Sequence, residues 1–257
     1  MNKPLKTLTF ENSALSANNE LPLSYQLRRS ERAKKTRIVV TAETIEVVAP
    51  IKVSEHHIKS FVNAQQNWIR NAIKRIQDRK HTVKSLAPTQ YISGVTVPYQ
   101  GQQIPLLIKP TSTKHIRAQL RSNEEFVVYL PEYGMENSSD ATRQALEKWM
   151  KHQIRQQAAQ LITKHGTKHQ LVPRQLRIKT QKTRWGSCGP KNDINLNWLL
   201  MLAPPIILEY VVVHELCHIK HKNHSKDFWQ LVAEHMPDYL QHRRWLKAHG
   251  ASIMHGL

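Results

Sequence analysis

Apolar positions repeat with two different periods along this chain, and the period changes mark where its elements begin and end. Residues 1–20 are polar and aperiodic and predict a flexible tail. Alternation over residues 23–29, 37–41 and 44–48 predicts three strands, the last closed by Pro50. From Ser54, a suitable N-cap, the stripe Ile58, Phe61, Val62, Trp68, Ile69, Ala72, Ile73 and Ile76 predicts one long helix with an apolar face in the core. Short alternating runs at 103–108, 116–120 and 126–130, punctuated by Gly101, Pro110 and Asn123, predict an antiparallel meander.

The second half is richer in helical spacing. Leu146, Met150, Ile154, Ala158 and Leu161 predict a helix over about 140–165, with Gly166 just past its end. Alternation on both sides of Gly189, Pro190, Lys191 and Asn192 predicts a β-hairpin. Pro204 and Pro205 suit the first turn of a helix that carries the apolar run 206–213. A further helix opens near Ser225, shows Phe228, Leu231, Val232 and Met236 on one side, and stops at Pro237. A last one runs to about His249 and closes at Gly250.

The apolar run 206–213 leads directly into His214, Glu215, Leu216, Cys217 and His218, and His224 follows six residues later. On a helix, imidazoles at i and i+4 share one face, and the glutamate beside the first stands about 100° round, within reach of a metal-bound water. A straight helix would carry His221 about 10 Å along the axis from His214, too far for Zn–N bonds of about 2.0–2.1 Å to gather all three. The chain must turn back first. Asn223 tolerates the left-handed conformation that ends helices, which brings His224 onto the returning segment. His214, His218 and His224 are therefore the expected ligands, with Glu234 or His235 from the next helix as an open alternative for the third. A bare His-Glu-x-x-His pattern also arises in ordinary helices, but an unpaired glutamate on a buried one is costly, which favours the catalytic reading.

Composition narrows the setting. The chain has 257 residues, 40% of them hydrophobic, enough for one large domain or two lobes with a core. It contains no apolar run of membrane-spanning length, and its first 20 residues hold no signal-peptide core, so a cytoplasmic protein is expected. Cys188 and Cys217 suit a reducing compartment; a structural zinc shared between cysteines and histidines is a weaker alternative, given their irregular spacing. The formal charge of +19, from 38 Lys+Arg against 19 Asp+Glu, attracts polyanions, so nonspecific nucleic-acid binding through the basic surface is an expected partner class. The basic residues are scattered and carry no recognised nucleic-acid signature.

The order Arg184-Trp185-Gly186-Ser187-Cys188, Ile194-Asn195-Leu196-Asn197, Tyr210 to His218, Asn223-His224-Ser225 with Phe228-Trp229, and Pro237-Asp238-Tyr239 closely resembles the YgjP-like metallopeptidases, relatives of the SprT and WLM zinc-peptidase groups. The resemblance covers about residues 22–250. It implies an α+β protein: an N-terminal antiparallel β-rich region with a long helix, residues 21–138, and a zincin-like catalytic domain, residues 139–257, whose β-hairpin precedes the histidine-bearing helix. It also implies a zinc-dependent peptidase acting on a protein or peptide substrate. The His214, His218, His224 spacing matches the metzincin pattern, with His221 where that pattern has glycine.

The expected mechanism has Zn2+ activating its water and Glu215 taking the proton, then returning it to the leaving amine. An edge strand of the hairpin can pair with an extended substrate, with Trp185 either lining the cleft or buried under the sheet. Tyr239, Arg184 and His221 are candidates to stabilise the oxyanion. Two rival readings are a nucleic-acid-associated SprT-like protease and a non-catalytic, zinc-stabilised binding module.

Overall fold

The computed structural model of the protein describes residues 6–9, 24–41, 43–82, 85–132, 138–167 and 169–257. It is α+β, and it divides into two compact units, Met1–Val83 and Lys84–Leu257. The strands at 96–131 thus fall in the unit of the histidine-bearing helix, where the resemblance implies an N-terminal region reaching to 138. Of the expected tail, Lys6–Thr9 forms strand β1; the rest of 1–20 lies outside the described residues.

In the first unit β1 pairs with β2 (Ser24–Ser30), which runs parallel to β4 (Ile45–Pro50); β3 (Arg37–Val40) covers the far edge of β4. The sheet is therefore mixed, where an antiparallel one was expected. The expected long helix is two, α1 (Glu55–Ala64) and α2 (Gln66–Thr82), interrupted at Gln65. Ser54 is the N-cap, accepting from His57 N–H. Ile58, Val62 and Ile69 pack on Tyr25, Leu27 and Val47, whereas Trp68 of the same apolar stripe is 46% exposed.

The second unit carries two sheets. In one, β5 (Thr96–Tyr99) and β6 (Gln102–Thr111) form a hairpin, β6 runs parallel to β8 (Glu125–Pro131), and β7 (Arg117–Arg121) lies on the outer edge. The expected meander is thus replaced by an order in which β8 inserts beside β6. Alternation fixes which face of a strand is buried and leaves its neighbours open. Gln100 and Gly101, both at positive φ, make the tight β5–β6 turn, and their N–H groups donate to the carbonyls of Met201 and Leu202. A Cβ on Gly101 would fall 2.9 Å from Pro204 Cγ, so only glycine lets this turn dock on the approach to α4 (Pro205–Lys220).

The second sheet is small. The stretch before the 189–192 turn folds as two strands. β9 (Gln175–Lys179) lies parallel to β11 (Asp193–Asn197), and β10 (Gly186–Cys188) lies antiparallel to β11 on its other side. The β10–β11 hairpin is the expected one, and β10 is left at a sheet edge. From β11 a short 3-10 turn, Trp198–Leu202, capped by Asn197, leads into α4.

Helix α4 is apolar nearly all round, as a helix enclosed on several sides must be. Val211, Val212, Val213, Leu216 and Cys217 are buried, and α3 (Ser138–Gly166), α5 (Lys226–His235) and α6 (Tyr239–Ile253) pack around it. Gly166 and Gly250 are helical residues, not the terminators expected of them. Both are sites of close approach: a Cβ on Gly166 would lie 2.9 Å from Leu171 O, and one on Gly250 3.0 Å from Trp185 Cζ2. Glu209 joins α4 to the end of α3, accepting from Lys164 Nζ at 2.7 Å and facing His165 Nε2 at 2.7 Å.

Burial pushes the Glu209 carboxyl up, but the hydrogen bonds from Lys164 and His165 outweigh it and hold its pKa below the ordinary 4.5. Between the two values the unfolded chain binds more protons, so this stabilisation is complete above about pH 4.5 and fades as pH falls towards the lowered folded value. Glu209→Gln is expected to destabilise the fold by about 1.5–3 kcal/mol at neutral pH, with the difference from the parent shrinking in acid. Urea unfolding at a series of pH values measures this; a constant difference down to pH 3 would contradict the assignment.

Candidate metal centre

Helix geometry places His214 and His218 on one face of α4, with ring centroids 4.9 Å apart. The helix ends at Lys220, and His221 is extended (φ −119°, ψ 104°). Its carbonyl meets His218 Nδ1 at 2.9 Å, which fixes that ring and leaves Nε2 free. Asn223 does not take the expected left-handed conformation; the chain leaves α4 through the extended His221 instead. His224 then sits just before Ser225, the N-cap of α5, whose hydroxyl accepts from Phe228 N–H at 3.3 Å.

The three imidazoles meet. One ring nitrogen from each of His214, His218 and His224 lies within 4.8 Å of the others, and the Nε2 atoms of His214 and His224 are 3.1 Å apart. Two nitrogens bound to one tetrahedral ion at about 2.0–2.1 Å would be separated by about 3.3 Å, so the triad suits a metal with little adjustment. Among the described residues this is the one group of three or more His, Cys, Asp or Glu residues found to converge so closely. Glu234 and His235 lie elsewhere: Glu234 pairs with His169 at 3.4 Å, and His235 packs against His165 and His169.

Phe228 is the common floor, with centroids 5.0, 4.5 and 4.9 Å from His214, His218 and His224. Its place on the α5 stripe marked it as core; that it supports all three rings becomes legible only in space. Burial drives the His214 pKa down to about 3, helped by the neighbouring His218, His224 and Arg243, and burial also lowers His218. Both therefore offer neutral nitrogens at physiological pH, the form a metal requires.

Glu215, about 100° round α4 from His214, faces β10. Its side chain is 5% exposed, the backbone N–H of Cys188 donates to the carboxylate, and Oε2 has no hydrogen-bond partner among the described residues. Burial raises its pKa to about 8, with the Cys188 N–H opposing. A dication nearby would add positive charge and draw the group back towards its ionised form. The slot is closed by Gly186: a Cβ there would fall 2.6 Å from Glu215 Oε1 and 2.7 Å from its Cγ.

The loop before β10 is held by Asn197, fully buried, whose Nδ2 donates to the carbonyls of Gln181 and Arg184 at 2.7 and 3.1 Å and whose N–H donates to Trp185 O. Sequence reading marked Asn197 as part of a motif and gave it no role. Trp185 is half-buried against Gly250, nearer the packing role than the cleft-lining one.

On the outer side Trp229 stacks on His224 (5.5 Å, 20°), Tyr239 stacks on Trp229 (5.3 Å, 15°), and the Arg243 guanidinium lies 4.6 Å from the Trp229 ring. Of the three oxyanion candidates, Tyr239 is thus tied to the triad through Trp229, and His221 contributes its carbonyl. Arg184 is an exposed residue whose carbonyl is taken by Asn197. Both cysteines are free, neither belongs to the converging group, and burial pushes Cys217 to about 12 and raises Cys188. The site is therefore one of imidazoles, without thiolate.

A converging imidazole triad beside a buried carboxylate is the donor set of metal-assisted hydrolysis. The family model described as "YgjP-like, metallopeptidase domain" matches residues 34–249, and the chain belongs to this family. Membership implies a bound metal ion, and the triad fits one. The chain is also similar to the UTP pyrophosphatase of Escherichia coli (strain K12), with 35% identity over 66 residues, which make up 26% of this chain and 40% of that protein. It spans about two fifths of that relative's length. No described helix is long and apolar enough to cross a membrane.

Each of His214→Ala, His218→Ala and His224→Ala is expected to weaken metal binding by at least about 100-fold, and His221→Ala, which keeps the backbone carbonyl, by less than about tenfold. Competition with a chromophoric chelator reads this directly; a loss greater with His221→Ala than with His224→Ala would reassign the third ligand. Gly186→Ala should leave metal occupancy intact and cost no more than about 1–3 kcal/mol of stability, yet lower hydrolysis by roughly 10–100-fold through displacement of Glu215. Parental turnover in that variant would show that the carboxylate does not need this slot.

Proposed function

We propose that the protein is a zinc-dependent hydrolase that cleaves peptide bonds, with His214, His218 and His224 holding the ion and Glu215 as general base. The observation that carries this reading is the pairing of a converging imidazole triad with a buried, incompletely bonded carboxylate on the next helical position. The three-imidazole, sulfur-free donor set favours zinc with an open fourth position. When bound, the ion supplies Lewis acidity, lowering the pKa of water and polarising the scissile carbonyl.

The chain's own residues do the rest. Glu215 accepts a proton from the attacking water and returns it to the leaving amine, the double role of a positioned carboxylate. Gly186 and the Cys188 N–H keep the carboxylate directed, and β10, at its sheet edge, is available to pair with an extended peptide. An edge strand followed by the His-Glu-x-x-His helix is the order expected of a zincin-like unit. Tyr239 is the candidate of choice to donate to the developing oxyanion.

A second reading rests on the relative's name: the same residues would serve to hydrolyse a phosphoanhydride, and the +19 charge suits such an anion.

Zinc-loaded protein assayed against a quenched peptide library and against UTP separates the two readings. Glu215→Gln is expected to lower whichever hydrolysis is found by about 10²–10⁴-fold while zinc content stays at the parental level. Full activity in that variant would remove the general-base role; loss of zinc would make Glu215 a ligand or an essential support.

A further inference from the structure

Arg243 is placed as a substrate-binding residue would be, and among the described residues no ion pair takes up its charge. It lies on α6 one turn beyond Tyr239, so the two side chains share a face, and both rest on Trp229. Trp229 in turn stacks on His224. The guanidinium is thus fixed with one side chain, Trp229, between it and the triad. It is exposed, and among the described residues no carboxylate pairs with it.

Repulsion between this cation and a bound dication would count against the arrangement unless an anion sits between them. A planar guanidinium held over an aromatic ring keeps its N–H fork free and needs little ordering to engage an oxyanion in two parallel hydrogen bonds. We propose that Arg243 is the specificity-determining residue of this site and binds an oxyanion of the substrate, a phosphate or a terminal carboxylate, next to the bond that is cleaved. The proposal rests on the hydrolase reading for the identity of the neighbouring centre. It adds that the substrate is anionic at a defined distance from that centre.

The test measures binding, so that it stands apart from turnover. Zinc-loaded parent, Arg243→Gln and Arg243→Lys are titrated calorimetrically with inorganic pyrophosphate, and separately with an N-acetylated tripeptide bearing a free terminal carboxylate beside its C-terminal amide. Zinc content and thermal unfolding are checked in each variant. Arg243→Gln is expected to weaken binding of one anionic probe by about 10- to 100-fold, the amide being unaffected, with Arg243→Lys intermediate because it keeps the charge and loses the fork. A loss with pyrophosphate identifies the oxyanion as phosphate, and a loss with the peptide acid identifies it as a carboxylate. Equal affinity of all three proteins for both probes overturns the proposal, as does a loss that merely follows falling zinc content. If the binding loss is found and neither peptide nor UTP is hydrolysed, the hydrolase reading fails and the anion site stands.

Discussion

A carboxylate enclosed against bare backbone is the constraint around which the histidine-bearing unit is arranged. Glu215 has no room for even one methyl group at residue 186, and only the Cys188 N–H is directed at it from β10. A buried carboxylate with an unsatisfied oxygen costs free energy, so the surrounding structure must hold it there. It does so by making both walls of the slot stiff. One wall is α4, enclosed by three helices; the other is β10, pinned through Asn197 to the loop before it and through Trp185 to Gly250 of α6.

The same stiffness sets the imidazoles. His214 and His218 inherit their spacing from α4, and His224 inherits its place from the Ser225 cap of α5. Phe228 ties the two helices together beneath all three rings. On the far side of α4, Glu209 with Lys164 and His165 holds α3, and the β5–β6 turn grips the segment that leads into the helix. Preorganisation of this kind is what holds the three imidazoles in convergence.

The chemistry of the centre was largely legible in the sequence, because the residues that converge are within eleven positions of one another and helical periodicity links two of them. Ser54, Ser225 and Pro205 were equally legible, since caps and first turns are local. Relations between distant segments were not. Gly186 and Gly250 look like ordinary turn and terminator residues until the side chains that press on them are known, Glu215 and Trp185 respectively. Asn197 gives no local sign that it holds a loop 13 to 16 residues earlier. Strand order failed for a related reason: β8 runs parallel to β6 and β9 parallel to β11, choices that alternation cannot encode. The unit boundary moved with them, from 138 to Val83.

X-ray absorption at the zinc edge, on purified protein loaded with one equivalent of zinc, tests the central claim most directly. The account predicts a first shell of only nitrogen and oxygen at about 2.0–2.1 Å, with the outer-shell scattering of three imidazoles. A sulfur contribution at about 2.3 Å, or fewer than three imidazoles, would contradict it.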